Sequence, residues 1–417
     1  MLGHGTALLA REPGGAWLPI RDRQPVQRVG FGADEALLPL SRPGFEGYRL
    51  LREYFSFPER FLFAALDGLA PAVKAAQGGT LELAVLLDQA DRGLDDGIAA
   101  DDLALFVTPA VNLFEKALEP ARLDRQERDA HLVVDRVRPH DYEGHSLLEV
   151  SGEGAAGPRR FRPFYALAHP DETDPERAYY TVEPRPRLAS PPAAPRARSG
   201  YAGGEVFLAL VDGGSPPWPE GIDRLHVKAR CSNRDLPLLM PLVPGQSHFD
   251  VENGPPLAAA YCLGEPTPPR PSLALGEAPP TSSDWTPGET LWQLVSHLAL
   301  NYLSLVDGPA DEGAAALRQL LQLYAAFAEP AVARQVEGLR SVASRPVVDR
   351  LPIAGPIAFG RGLEIDLTFD ESAFDRGAAF ALGGVLEAFL RRHVALNSFT
   401  RTVVRTAERG EIMRWPV

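Results

Sequence analysis

The chain has 417 residues, 45% hydrophobic, 8% aromatic and 23% charged, the balance of a globular protein with more than one core and not of a disordered or fibrous one. Lysine and arginine number 42 against 55 acidic residues, a formal net charge of −13, and an acidic surface with no concentrated basic face excludes nucleic acid as a partner. Cys231 and Cys262 stand outside any CxxC spacing, which excludes a zinc or iron–sulfur centre built on that motif; with no basic-then-apolar leader and no apolar run approaching the roughly 20 residues that span a bilayer, a soluble, cytoplasmic protein with no direct membrane insertion is expected.

Residues 1–30 are turn-rich and read as a sequence entered midway through a domain. Next, Phe45, Tyr48, Leu51 and Phe55, flanked by Leu50 and Tyr54, recur at three- and four-residue steps. That spacing predicts a helix over residues 43–57, stopped by Pro58. Thr80 to Asp88 is apolar enough for a buried strand, and Leu103 to Phe114 is strand-like but broken by Pro109. Short strands follow at Leu132–Val134, Ser146–Val150 and Tyr179–Val182, separated by turn residues.

The densest basic stretch, Arg185 to Arg198, is interrupted by prolines and reads as a solvated spacer, with the linker set at 188–203. Beyond it, Glu205 to Val211 and Asp223 to Ala229 are strands, and the proline- and glycine-crowded 241–290 is a long ordered loop. Residues 288–342 read as helical: Leu291, Leu294, Val295, Leu298, Tyr302 and Leu305 form one apolar face, and Leu317, Leu320, Leu321, Tyr324 and Phe327 another. The tail alternates strictly over Leu363 to Phe369, turns helical over Ala378 to Val394, and ends on a strand from Phe399 to Arg405.

The expected fold is therefore α+β and multi-domain, with a β-rich middle and helical segments near 43–57, 288–342 and 378–394. Composition divides it into an N-terminal α+β region (1–187), the linker (188–203), a β-rich region (204–290) and a helical and α+β C-terminal region (291–417). The β-rich middle argues against a doubly wound nucleotide-binding sheet.

Chemistry is sparsely signalled. Neither a phosphate-binding P-loop nor a G-x-S-x-G nucleophile elbow is present, and Gly360-Arg-Gly362 precedes a strand where a dinucleotide loop must follow one. His140-Asp-Tyr-Glu-Gly-His145 carries metal-ligand residue types, but its two imidazoles are five residues apart, a spacing that aligns them on neither a helix nor a strand. It reads as a polar strand edge or turn. A hydrolase or metalloenzyme built on it is the weakest functional reading. A ligand- or carbohydrate-binding β module, with aromatics such as Trp218, is the alternative.

Six segments in order carry a resemblance. They are Leu37 to Phe63, containing Tyr48-Arg-Leu-Leu-Arg-Glu-Tyr-Phe-Ser-Phe-Pro-Glu-Arg60; Thr108-Pro-Ala-Val-Asn-Leu-Phe114; Cys231-Ser-Asn-Arg-Asp-Leu-Pro237; Ser296 to Leu305; Phe359-Gly-Arg-Gly-Leu-Glu-Ile365; and Val394 to Phe399 closing with Arg409 to Pro416. Together they resemble the type VI secretion baseplate family TssF, also called ImpG or VasA, without the N-terminal segment that the family usually carries. The resemblance implies a structural, phage-tail-like baseplate wedge component. It implies pairing with TssG, two copies to one, contact with TssK and other baseplate components, and recruitment to the inner face of the cytoplasmic membrane through the secretion apparatus. It implies no enzymatic activity, metal or cofactor. A wedge holds its neighbours through aromatic and arginine anchors, so Tyr48, Arg49, Arg52, Tyr54, Phe55, Arg234 and Arg361 are the candidate protein-interface residues, with Arg49 and Arg52 expected at the surface.

Overall fold

A strand begins at Gly5 in the computed structural model, which describes residues 5–21, 25–39, 45–76, 78–87, 103–155, 157–164, 179–187, 201, 203–211, 221–252, 254, 257–270, 310–326, 328–351, 357–375, 377–392 and 398–415. Contacts divide the chain into two units, residues 1–110 with 293–417, and residues 111–292.

The N-terminal part of the first unit forms, in chain order, β1 (Gly5–Arg11), β2 (Leu18–Pro19), β3 (Val26–Arg28), α1 (Gly47–Ser56), β4 (Ala64–Leu66), α2 (Ala70–Ala75) and β5 (Glu82–Leu87). β1 lies between β2 and β5 in an antiparallel sheet, and β3 pairs with β4. The turn-rich reading missed β1, whose Leu8 and Ala10 alternate inward between short turns. α1 follows the predicted stripe: Leu50, Leu51, Tyr54 and Phe55 are buried, while Arg52 is exposed. Pro58 ends it by opening a single 3-10 turn, Pro58–Leu62.

The second unit is one eight-stranded sheet. Its strands are β6 (Phe114–Ala117), β7 (Ala121–Arg122), β8 (Ala130–Leu132), β9 (Glu143–Glu153), β10 (Arg159–Pro163), β11 (Tyr179–Pro186), β12 (Gly204–Val211) and β13 (Arg224–Ser232). They run in the order β6-β13-β9-β10-β11-β12-β8, with β7 also on β13. All pairs are antiparallel except β10 with β11. Val206, Leu208 and Leu210 of β12 and Leu225, Val227, Ala229 and Cys231 of β13 alternate inward and share one core with Val150 and Phe161. Strands near both ends of the order thus pack their apolar faces together, and the sheet curls over itself.

Two expectations change here. The partition at 188–203 would cut this sheet, because β11 and β12, the strands on either side, pair along Tyr179 to Pro186 against Val211 to Gly204. The linker residues themselves are described only at 201 and 203. Leu103 to Leu113 form no strand: Phe106 takes a positive φ of 59°, which breaks extended pairing, and Pro109 lacks an N–H. The described part of 241–270 contains no helix or strand. His248 braces it: its N–H donates to the Ala260 carbonyl at 2.8 Å and its Nδ1 accepts the Cys262 N–H at 3.0 Å.

The chain returns to the first unit with α3 (Ala310–Ala325), α4 (Pro330–Glu337), β14 (Leu339–Arg350), β15 (Phe359–Phe369), α5 (Ala378–Arg392), β16 (Phe399–Thr406) and β17 (Gly410–Trp415). The predicted apolar face of residues 291–305 lies outside the described residues. The second face is buried in α3 at Leu317, Leu320, Leu321 and Tyr324; Phe327 is outside the described set. The helical reading to residue 342 overran. α4 ends at Glu337, with Gly338 as its cap, and β14 starts at Leu339, paired with β15 from Leu339 to Arg350. Val336, Leu339 and Val342 happen to keep a three-residue step across that boundary, which is why periodicity alone passed over it.

β14-β15-β16-β17 form a four-stranded sheet in which β15 and β16 run parallel. A parallel pair needs a crossover, and α5 supplies it. One face of the sheet, with Val342, Ile365, Leu367, Phe369, Val404 and Trp415, packs in a single core with α1, α3 and α5. α5 comes close to the sheet through Gly383, where an added Cβ would lie 2.7 Å from a Val404 methyl. A mid-helix glycine costs about 1 kcal/mol against alanine; here that approach requires it.

Candidate interaction surface

Residues 30–38 form neither helix nor strand, yet their backbone is held by side chains. Arg49 on α1 donates from Nη1 to the Gly30 carbonyl (3.3 Å) and from Nη2 to the Gly32 carbonyl (2.9 Å). Glu53, one turn on, accepts the backbone N–H groups of Leu37 (2.9 Å) and Leu38 (3.0 Å) on Oε1. Its Oε2 pairs with Arg49 Nη1 at 3.1 Å and lies 2.9 Å from Arg60 Nε. Arg60 also donates to the Glu35 carbonyl. From α5, Arg392 donates to the Phe31 carbonyl at 2.7 Å. Charged side chains thus satisfy backbone groups that secondary structure leaves unpaired. Beneath them Tyr54 donates its hydroxyl to Gln335 Oε1 at 2.6 Å, and burial raises its pKa.

The second unit repeats the device. Arg234 follows β13 with a φ of +53° and is 9% exposed. It donates from Nη1 to the His140 carbonyl (2.9 Å) and from Nη2 to the Tyr201 carbonyl (3.0 Å). Asn112 reaches the same turn: its amide donates to the Arg234 carbonyl (3.2 Å) and its Oδ1 accepts the Asn233 N–H (3.1 Å). Buried Glu143 accepts the Tyr201 hydroxyl (2.7 Å) and the Gly204 N–H (2.8 Å). Within His140–His145, therefore, His140 serves by its carbonyl and Glu143 faces Gly204, while His145 Nε2 sits 2.8 Å from Ser232 Oγ. Among the described residues no three His, Cys, Asp or Glu side chains converge as metal ligands.

The third construction is an ionic lattice on the open face of the four-stranded sheet. Glu364 on β15 has a side chain 1% exposed. It accepts from Arg345 Nε on β14 (2.8 Å), Arg401 Nη1 on β16 (3.2 Å) and Arg414 Nη1 on β17 (3.0 Å). One carboxylate therefore ties all four strands. Arg405 extends the lattice to Asp366 (2.9 Å) and Glu411 (3.2 Å), and Arg401 to Asp349.

A cleft of about 330 Å³ beside β8 and β12 is lined by His131, His140, Tyr142, Arg187 and Glu205 among others. It lacks the stacked aromatic wall of a sugar site, and Trp218, named for such a site, lies outside the described residues.

The sequence profile described as "Type VI secretion system, TssF" matches residues 1–417. The chain belongs to the TssF family. The type VI secretion system component TssF1 of Pseudomonas aeruginosa is 44% identical over 416 residues; the match covers all of this chain, which spans 65% of that protein's length. In the cryo-electron microscopy structure of a TssK-TssF-TssG baseplate subcomplex, a chain 23% identical superposes with a TM-score of 0.70 over 99% of this chain and 70% of its own, a likeness of fold.

The six segments that carried the resemblance in the sequence act mostly as internal fasteners. Arg49, Glu53 and Arg60 hold residues 30–38; Asn112 of one segment fixes Asn233 and Arg234 of another; Glu364, Arg414 and Trp415 bind the final sheet. The segment at 296–305 lies outside the described residues. Of the candidate interface residues, Tyr54, Phe55, Arg49 and Arg234 are buried within the chain. Arg49 was expected at the surface; its carbonyl and carboxylate partners draw it in. Tyr48 is half-buried, 5.9 Å from the Phe389 ring. Arg52 and Arg361 are exposed. Among the exposed apolar residues are Val348 (67%), Ile357 (66%) and Phe359 (69%), none of which the sequence reading offered as an interface residue. The alternation of Phe359, Arg361 and Leu363 with the core residue Ile365 is the signal that places the first two on a sheet face.

Proposed function

We propose that this chain is a structural component of the type VI secretion baseplate, a wedge element that assembles with TssG, a second TssF copy and TssK and transforms no substrate. The observation that carries it is the 44% identity with TssF1 along the whole chain. The fold shared with a chain of the TssK-TssF-TssG subcomplex supports the choice of partners. Among the described residues no helix is long and apolar enough to cross a membrane, so contact with the membrane complex would run through other baseplate proteins on its cytoplasmic face. Arg52 and Arg361 are the interface candidates left accessible, and Tyr48 is half-covered; Arg49, Tyr54, Phe55 and Arg234 would act by holding the loops that neighbours meet.

Co-expression with TssG and TssK followed by affinity purification of the chain tests this. TssG is expected to co-elute, at one copy to two of this chain; a chain that elutes without TssG overturns the proposal.

A further inference from the structure

The paired strands β14 and β15 extend past the described helices that cover their apolar face. Val342, Ile365 and Leu367 are fully buried under them. Farther along the same face, β14 presents Val348 and Arg350 and β15 presents Phe359 and Arg361. Their register pairs Val348 with Arg361 and Arg350 with Phe359. Residues opposed in this way stand about 5 Å apart on one side of the sheet. The tip is therefore a two-by-two checkerboard, with each apolar side chain opposite a cation.

All four residues are exposed. Neither guanidinium has an ion-pair partner among the described residues, unlike Arg345, Arg401, Arg405 and Arg414 on the opposite face. The opposite face of the tip carries Gly360 and Gly362; a Cβ on Gly362 would lie 2.5 Å from the Phe399 carbonyl oxygen. Of Phe359-Gly-Arg-Gly-Leu-Glu-Ile365, then, Glu364 and Ile365 serve the lattice and the core, while the side chains of Phe359 and Arg361 make no ion pair or ring contact among the described residues.

We infer that this hairpin tip docks an acidic, apolar-bearing segment of a different baseplate subunit. Charge selects the occupant: the chain as a whole is −13, but this patch offers only cations and hydrocarbon. A second copy joined face to face would gather four arginines and no acid in one contact, because an isologous contact repeats the same patch on both sides. An extended partner has the right periodicity, since every second side chain of a strand falls on one face.

The inference rests on the baseplate reading for the source of the segment, but the chemistry of the patch is tested on the chain alone. A fluorescent peptide with glutamate and valine alternating on one face and serine on the other is titrated against the purified chain, beside its counterpart with lysine for glutamate. The acidic peptide is expected to bind roughly tenfold more tightly, about what two exposed ion pairs supply. That advantage disappears in the Arg350→Glu/Arg361→Glu variant, whose residues lie outside the core, and binding of both peptides weakens in Phe359→Ser. Equal binding of the two peptides, or an advantage that survives charge reversal, overturns the inference.

A photo-crosslinker at position 359 in the complex with TssG and TssK then reads the source. An adduct in an acidic segment of another subunit supports it; an adduct to a second copy of this chain, or no adduct in an intact complex, overturns it. Failure of TssG to co-elute would count against the baseplate reading and leave the peptide result standing.

Discussion

Arg60 Nε lies 2.9 Å from Glu53 Oε2, and both side chains are only 2% exposed. With Arg49 at 3.1 Å on the same oxygen, the group is a buried Arg–Glu–Arg triad whose outer side-chain hydrogen bonds go to the backbone of residues 30–38 and, from Arg49, to Glu46. Removing one member of a buried ionic group strands the others, at a cost of about 3–5 kcal/mol. Glu53→Ala is expected to fall in that range by chemical denaturation, with residues 30–38 becoming the first site of protease cleavage. Glu53→Gln keeps one acceptor oxygen and should lose less. A Glu53→Ala protein as stable as the parent would show that the loop is held by something else.

Glu364 makes a different prediction, because its three arginine partners reach solvent to different extents, from 21% at Arg401 to 63% at Arg345. Glu364→Ala leaves three like charges facing each other on one sheet, and a loss of about 3 kcal/mol is expected. Arg345→Ala, at the exposed rim, should lose far less, because water already screens that pair. Thermal unfolding of the two variants beside the parent checks the order. Equal losses would mean that the lattice acts through exposed pairs and not through the buried carboxylate.

The two cysteines should separate chemically. Cys231 is buried in the curled sheet, and burial pushes its thiol up to about 11, so little thiolate exists near neutral pH. Cys262 is only partly covered, on the 241–270 segment. At pH about 8, a thiol reagent is expected to label Cys262 in the native protein and Cys231 only after unfolding, as mass spectrometry of the labelled peptides would show. Early labelling of Cys231 would mean that β13 opens locally.

What the sequence could reveal here was set by how local each signal is. The stripes of α1, α3 and α5 were legible because Leu50, Leu317 or Phe389 lies beside its partners along its own helix. The alternation of β12, β13 and β15 was legible for the same reason. The curl of the eight-stranded sheet was not, since β6, β13 and β9 are distant in sequence. Nor was the burial of Arg49 and Arg234. An arginine in an aromatic segment looks the same whether it clamps its own chain's carbonyls or waits for a neighbour, and Gly30 and His140, which decide the matter, lie 19 and 94 residues away. Aromatic and arginine content therefore pointed to fasteners, while Val348 and Phe359 gained meaning only once the register of β14 and β15 placed them side by side.

Asp370 carries the acid sensitivity of the turn after β15. Its carboxylate accepts from Arg340 Nε (3.2 Å) and from the Ser372 N–H (3.0 Å) and hydroxyl. The Arg340 bond first, then those from Ser372, lower its pKa from 3.8 to about 2. A carboxylate whose pKa is lower folded than unfolded binds fewer protons in the native state. Its stabilisation is complete above the unfolded value of about 4 and is lost as the pH falls towards about 2. The difference in unfolding temperature between the parent and Asp370→Asn should therefore be constant from pH about 7 down to about 5, shrink below about 4, and vanish near 2. A difference that stays level across that range would show that the Arg340 and Ser372 contacts do not favour the charged form.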